Sequence, residues 1–343
     1  MVPPGDGDSG LLLRAGEGTR PRGAPDILAQ AVNRGRSGTI AARRASRRTD
    51  ALSQAVALLA LHAAVLLFGF AGLFGKWLAL SPVVIVLGRT AIAAAALLLV
   101  RQWRGVGVPF DLGLAANGIV LAVHWVSFFA AIQVASVAIG LLGFASFPLF
   151  TLAFERALLG KHWTRHEGMT AILVVGGLLL LVPELAVTNP TVQGLGLGIV
   201  SGATFALLAV LNRRWATERS ATDIAFWQNF LAALVLLPVA WVDGPSLGTV
   251  GTREILLLLL LGLVCTALSH TLFIGALSVV TAHTASVVAA LEPVYGVALA
   301  FILLGEAPDA RTVAGGALLV AAAVLATRKS ANPNSVGGER SIG

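Results

Sequence analysis

The sequence predicts an all-α membrane protein of about ten transmembrane helices, arranged as two inverted five-helix repeats. Three observations carry this expectation. Apolar blocks of about twenty residues follow one another from residue 54 to residue 327, and a helix needs about that length to cross ~30 Å of hydrocarbon. Basic residues gather in alternate loops. A stretch of the first half reappears in the second at a constant spacing.

Composition sets the solvent. Hydrophobic residues make up 57% of the 343 residues and charged residues only 12%, against about 25% charged in ordinary soluble domains. So few charges cannot cover a water-facing surface. Most of the chain must therefore face lipid, where apolar side chains point outward at no cost.

Residues 1–50 are rich in Gly, Pro, Ser and Arg, with no sustained apolar period. They read as a disordered Arg-rich cytoplasmic N-terminal tail. Its nine arginines suit orientation of the chain and contact with anionic lipid. A basic arm can also bind nucleic acid, but no nucleic-acid partner is expected here. The first apolar run exceeds the 7–15 residues of a signal-peptide core and is expected to be retained as a helix. Cys265 is the one cysteine, which excludes disulfides within the chain and a cysteine-rich metal site.

The apolar blocks are 54–76, 82–100, 112–131, 135–154 and 167–183, then 193–212, 223–242, 254–274, 281–303 and 310–327. Ser81-Pro82 divides the first two, and Arg101 to Pro109 the next pair. The stretch from Pro183 to Gln193 holds two prolines and no Lys or Arg, and Asp243-Gly244-Pro245 ends the seventh block. With a cytoplasmic N-terminus and ten spans, cytoplasmic segments hold twenty of the 24 basic residues. Outer loops hold only Arg253 and Arg311. This is the positive-inside pattern, and a missed span would invert every later loop. Both termini are therefore expected in the cytoplasm, the C-terminal one as a short tail at 329–343.

Ala131 to Lys161 overlays Ala276 to Glu306 with a constant shift of 145. Pro148 then meets Pro293, and Leu158-Leu159-Gly160-Lys161 meets Leu303-Leu304-Gly305-Glu306. The halves are 51–185 and 190–328. Five spans per half is an odd number, so the second half enters the membrane inverted. The first copy's loop is basic (Lys161, Arg165) and the second acidic (Glu306, Asp309). Inverted repeats with a site at their interface are a transporter architecture suited to alternating access.

Phe147-Pro148, Leu291-Glu292-Pro293, Leu303-Leu304-Gly305-Glu306 and the glycine-rich last helix from Gly315-Gly316 resemble the drug/metabolite transporter superfamily, in its EamA-like branch. The similarity covers about residues 52–328. Lys161, where that branch usually has Gly-Glu in both repeats, and the long Arg-rich tail depart from it. The resemblance implies a secondary active or facilitative transporter of the plasma (inner) membrane. It implies an exporter of amino acids or related small metabolites by alternating access. Multidrug or cation efflux and a lipid-carrier flippase subunit of the same fold are the alternatives within that architecture. An intramembrane transferase is the alternative from another class. No H-E-x-x-H metal motif and no phosphate-binding G-x-x-x-x-G-K-[ST] occurs. No catalytic residues, metal or cofactor are therefore expected. The expected partners are the lipid bilayer and a small-molecule substrate, with protons as the candidate coupling ion.

Ionisable groups inside a bilayer are costly and each needs a reason. Glu292 precedes Pro293 near the middle of the ninth block. It either satisfies a carbonyl freed by the proline or couples protons as a buried carboxylate. His124 and His270 occupy nearly equivalent repeat positions. They either flank one cavity as proton relays or carboxylate ligands, or sit neutral and bonded to a carbonyl or serine. His62 is a third such candidate. Trp125 and Tyr295 either stack on a substrate or pack. Arg89, two turns into the second block, either recognises a carboxylate or phosphate, pairs with an internal acid, or snorkels outward. Gln228 and Asn229 fall opposite Gly88 and Arg89 when the repeats are aligned, as uncharged hydrogen-bonders. Gly69, Gly72 and Gly75 in helix one, and Gly194, Gly196, Gly198 and Gly202 in helix six, predict close helix packing.

Overall fold

The computed structural model describes residues 53–105, 112–159, 165–182, 186–215, 219–242, 250–277, 279–280 and 288–328. The tails at 1–50 and 329–343, the loop carrying Lys161, and residues 281–287 of the ninth block lie outside the described residues. Every regular element among the described residues is a helix.

The first half runs through α1 (Ser53–Trp77), α2 (Pro82–Trp103), α3 (Leu112–Val134), α4 (Val137–Phe144), α5 (Phe147–Leu159) and α6 (Arg165–Leu181). The second half runs through α7 (Pro190–Trp215), α8 (Ala221–Val242), α9 (Thr252–Gly262), a π-helical stretch (Leu263–Leu268), α10 (Ser269–Leu277), α11 (Glu292–Leu304) and α12 (Ala310–Arg328). Seven helical stretches are long and apolar enough to cross a membrane, and Glu167–Leu181, Glu292–Leu304 and Ala310–Leu325 are three shorter apolar helices. Together they make the ten spans, five to each half. Large apolar side chains stand on the outside, Leu59 at 70% exposure and Ile302 at 71%. Such a surface is stable against lipid tails, not against water.

Boundaries follow local chemistry. Ser81 accepts a hydrogen bond from Val84 N at the start of α2, and Pro82 takes the first turn, where its missing N–H costs nothing. A turn of two residues separates α3 from α4, where Ser136 Oγ accepts from Ile139 N at 3.1 Å. The third block therefore extends to Val134 and the fourth begins at Val137, slightly later than the hydropathy blocks place them.

The aligned prolines mark helix starts. The fourth span breaks at Ala145-Ser146 and resumes at Phe147-Pro148. The ninth turns at Ala290-Leu291 and resumes at Glu292-Pro293. Proline near a helix start removes no bond and leaves no orphan carbonyl. This corrects the expectation that Glu292 serves a carbonyl freed by Pro293: the helix begins at Glu292. Among the described residues its carboxyl makes no hydrogen bond or ion pair.

Glycines set the distances between the halves. A Cβ on Gly69 of α1 would stand 2.8 Å from the backbone N of Gly296 in α11. A Cβ on Gly198 of α7 would stand 2.9 Å from the Cα of Gly143 in α4. The first span of each repeat thus touches the broken span of the other, backbone against backbone. Gly177 of α6 and Gly315 of α12 make the corresponding contact between the last spans. Helix α3 packs along α7, and α2 along α8.

The ends are tied as well. Gly305 closes α11 in the left-handed region, φ 70°, where only glycine is free of strain. That gives the Leu-Leu-Gly-Glu motif its physical meaning in the second repeat. Glu306 then reaches the first repeat, its Oε2 accepting from Val137 N at 2.9 Å, at the positive end of α4. Lys76 Nζ donates to the Ala135 carbonyl at 2.9 Å. At the opposite ends of the spans, Arg101 of α2 forms an ion pair with Asp223 of α8.

Candidate functional site

Arg89 lies on the inner face of α2 and is 2% exposed, so outward snorkelling does not occur. Its guanidinium carbon sits 3.9 Å over the ring of Trp125 and 5.5 Å from the ring of Phe129, both on α3. Cation–π contact of this kind holds a desolvated guanidinium without neutralising it. Arg89 Nε donates to Thr266 Oγ1 at 3.1 Å. Thr266 in turn donates to the Leu261 carbonyl at 2.8 Å, five residues back, inside the π-helical stretch. Extra residues in a helical turn of this type occur often at functional sites. Here the π stretch turns Thr266 toward α2 and sets the direction in which α10 leaves it. The sequence shows only a threonine in an apolar run and carries no signal for the π geometry.

His270, at the start of α10, stands 5.6 Å from the Trp125 ring and 5.5 Å from the Phe68 ring. Its ring nitrogens have no hydrogen-bond partner among the described residues. Glu292 opens α11 beside Gly69, with its backbone oxygen against that glycine. As a whole residue Glu292 is half-buried. Arg89 and Glu292 are near enough to feel each other's charge, but no ion pair joins them among the described residues. His270 and His124 lie within the same field of Arg89. One cluster thus draws Arg89 and Trp125 from the first repeat, and Thr266, His270 and Glu292 from the second.

The remaining sequence candidates divide. His124 borders the cluster, 6.2 Å from Trp125 between ring centroids, but its Nδ1 lies 2.9 Å from the Ser201 carbonyl oxygen and from Ser201 Oγ. Phe144 and Phe205 close around it at 5.7 and 5.5 Å. A carbonyl only accepts, so this contact places the ring proton on Nδ1 and ties His124 to α7. His62 and Tyr295 form their own pair, Nδ1 to Oη 3.0 Å, packed with Leu61, Val65 and Val288. They join α1 to α11 without contacting Arg89. Asn229 is fully buried in α8; its Nδ2 donates to Ala225 O at 2.8 Å. Its Oδ1 is a buried polar atom with no partner among the described residues.

A groove of about 380 Å³ between α2 and α8 is lined by Leu87, Leu98, Phe226 and Phe230 among other apolar residues. It contains none of the polar cluster. Among the described residues no group of three His, Cys, Asp or Glu side chains is placed to hold a metal.

Known proteins match this architecture. The model of the EamA-like transporter family matches residues 55–182 and 192–328, once per repeat. The chain is 28% identical over 249 residues to the pseudopaline exporter CntI of Pseudomonas aeruginosa (strain UCBPP-PA14), a match covering 71% of this chain and 85% of that protein. It is 29% identical over 185 residues to the S-adenosylmethionine uptake transporter of Rickettsia prowazekii (strain Madrid E), covering 52% of this chain and 58% of that protein. One crystal structure superposes with a TM-score of 0.59 at 21% identity, over 80% of this chain and 99% of its own; at that identity the likeness concerns the fold. The chain belongs to the EamA-like transporter family: it is a multi-pass membrane transporter built from two EamA domains, and not an enzyme.

Proposed function

We propose that this transporter exports amino acids or related small metabolites across the plasma (inner) membrane by alternating access, with both termini in the cytoplasm. The observation that carries the reading is the cluster of Arg89, Trp125, Thr266, His270 and Glu292. It is drawn from both repeats and placed where the halves meet, so a movement of one half against the other changes access to it. Export is supported by the similarity to a protein named as an exporter, although another relative is named for uptake. A buried guanidinium in the path disfavours cationic drugs as cargo and favours molecules bearing an anionic group.

Glu292 is the proposed coupling group. It lies within reach of the Arg89 charge, as do His270, His124 and Cys265. A carboxyl that gains and loses a proton as access alternates converts a pH gradient into net flux. Flux of radiolabelled amino acids in inside-out and right-side-out vesicles, with and without a pH gradient, tests this. Wild type should show gradient-dependent flux, Glu292→Gln should lose the dependence, and His270→Ala should retain it with altered affinity. Flux independent of the gradient in wild type, unchanged in Glu292→Gln, would remove the coupling role. No flux of any solute in either orientation would remove the transport reading of the cluster.

A further inference from the structure

The polar contacts between spans sort into two kinds. Some hold neighbouring helices together. His62 of α1 bonds Tyr295 of α11 at 3.0 Å, and Gly69 and Gly296 bring the same two helices backbone to backbone. His124 of α3 lies 2.9 Å from Ser201 of α7, while Gly143 and Gly198 bring α4 against α7. Two bodies follow: α1 with α11, and α3 and α4 with α7. Each is drawn from both repeats and fastened by a histidine and a glycine contact.

Other contacts cross from one body to the other at the end of α1 away from Ser53. Lys76 Nζ, in the last turn of α1, donates to the Ala135 carbonyl at 2.9 Å. Glu306, just beyond α11, accepts from Val137 N at 2.9 Å. Gln133 of α3 donates through Nε2 to the carbonyl of Leu80, in the segment after α1, at 2.9 Å. The charges match the helix ends that meet at the turn between α3 and α4. The ammonium sits on a carbonyl at the negative end of α3, and the carboxylate on the N–H that opens α4, its positive end. Val137 is fully buried. Its amide is one of those that a helix leaves without an internal partner, and no water reaches it when Glu306 withdraws. The rings of Phe70, Phe74 and Trp77 pack at 5.4 to 5.6 Å from one another in the same part of α1, an apolar plug beside the polar bonds.

We propose that Glu306 and Lys76 are the latch of one gate: with Gln133 they fasten the body of α1 and α11 to the body of α3, α4 and α7 at this face, and they let go when the path opens there. The proposal rests on the alternating-access reading, in which one face closes as the other opens. In the orientation proposed above, the latched face is the outer one. Both are positioning residues: they bias the equilibrium between the two open states and do not touch the solute. A charge-assisted bond of this kind is about twice as strong as a neutral one, and a contact made in only one of two states shifts their balance by its full worth. The left-handed turn at Gly305 ends α11 and brings Glu306 back toward α4.

The test uses the full chain in right-side-out and inside-out vesicles, with Cys265→Ser and one reporter cysteine at a time. Leu141→Cys reports on the gate. Leu141 is fully buried on α4, one turn from Val137, with its side chain against Gly296 of α11. Leu319→Cys, equally buried between α6 and α12, reports on loosening of the whole fold. The readout is the rate of labelling by a membrane-impermeant maleimide. Glu306→Ala should raise labelling of Leu141→Cys from the latched face by about 10-fold or more, the loss of one charge-assisted bond, and leave Leu319→Cys unchanged. Glu306→Gln, which keeps an acceptor oxygen, should raise it less, and it answers the question should the alanine variant fail to fold. Lys76→Ala should raise it several-fold. Labelling of Leu141→Cys that responds to none of these overturns the latch. So does a parallel rise at Leu319→Cys, which assigns Glu306 to the stability of the fold at large. Solute flux in vesicles of the chain with its native cysteine reads separately. Continued flux beside unresponsive labelling overturns the latch alone, and absence of flux for every solute class beside responsive labelling overturns the alternating-access reading alone.

Discussion

Replacing Gly198 by alanine tests a backbone-to-backbone contact between the halves. The new Cβ would stand 2.9 Å from Gly143 Cα and 3.0 Å from the Gly140 carbonyl oxygen. Non-bonded carbons rest at ~3.5–4.0 Å, so α4 and α7 must part by roughly 0.6–1 Å. Both obstacles are backbone, and no side chain can swing aside. Overpacking of this kind costs about 1–3 kcal/mol. Gly196, two residues earlier on the same helix, is exposed and would meet nothing within 4 Å. Alanine there removes the helix penalty of glycine, up to ~1 kcal/mol in the stabilising direction. The two variants change the same atoms in the same helix and differ only in what they face. Melting of the detergent-solubilised full chain, followed by light scattering, should rank Gly196→Ala at or above wild type and Gly198→Ala below it. A Gly198→Ala protein that melts with wild type would refute the close approach of α4 to α7. The account of glycine as the spacer between the repeats would fall with it.

Other consequences follow from the same structure. Asp223→Asn removes the carboxylate from its ion pair with Arg101, whose acidic side is 17% exposed, and should cost about 1 kcal/mol; melting should recover when the charges are exchanged between positions 101 and 223, and an unchanged single variant would show that the pair adds nothing. Asn229→Leu removes a buried oxygen that has no partner among the described residues and should raise stability by about 1 kcal/mol; if flux falls while the melting point rises, Asn229 serves transport. Asp309 lies in the loop before α12, where hydrogen bonds from Thr312, side chain first and then backbone, hold its carboxyl below the ordinary value. A lowered folded value means that its contribution is present above the unfolded pKa of about 3.9 and fades as pH falls through the folded one. The melting deficit of Asp309→Asn should therefore be constant near neutrality and vanish in strong acid, and a deficit that persists there would assign it to lost geometry rather than lost charge.

The site candidates are legible in sequence because a charged, titratable or large aromatic side chain in an apolar block is conspicuous. Arg89, His270, Glu292 and Trp125 could all be named that way, and the structure brings them together. The same signal named His62, Tyr295 and His124, which the structure pairs with each other or with Ser201. Residue type alone does not separate these cases, since a histidine bonded to a carbonyl and one facing a path look identical in a string of letters. Thr266 escaped notice for the opposite reason: threonine is common in such helices, and its role depends on a π turn that no side-chain pattern announces. The Pro148 and Pro293 pairing was visible as a repeat. Whether each proline kinked a continuous helix or opened a new one depended on backbone conformation two residues upstream.

What the sequence by itself determined is the solvent, the count of spans and the twofold repetition. Each of these depends on sums along the chain: twenty apolar residues cross a bilayer whatever they pack against, and the repeat is read from a constant shift between matching residues. What only the tertiary structure decided is which polar groups share one space and which are already satisfied. That depends on contacts between residues far apart in sequence, such as Arg89 with Thr266 and Glu306 with Val137. Their distances are set by glycines that let backbones touch, and by the exact turn at which a helix breaks or widens.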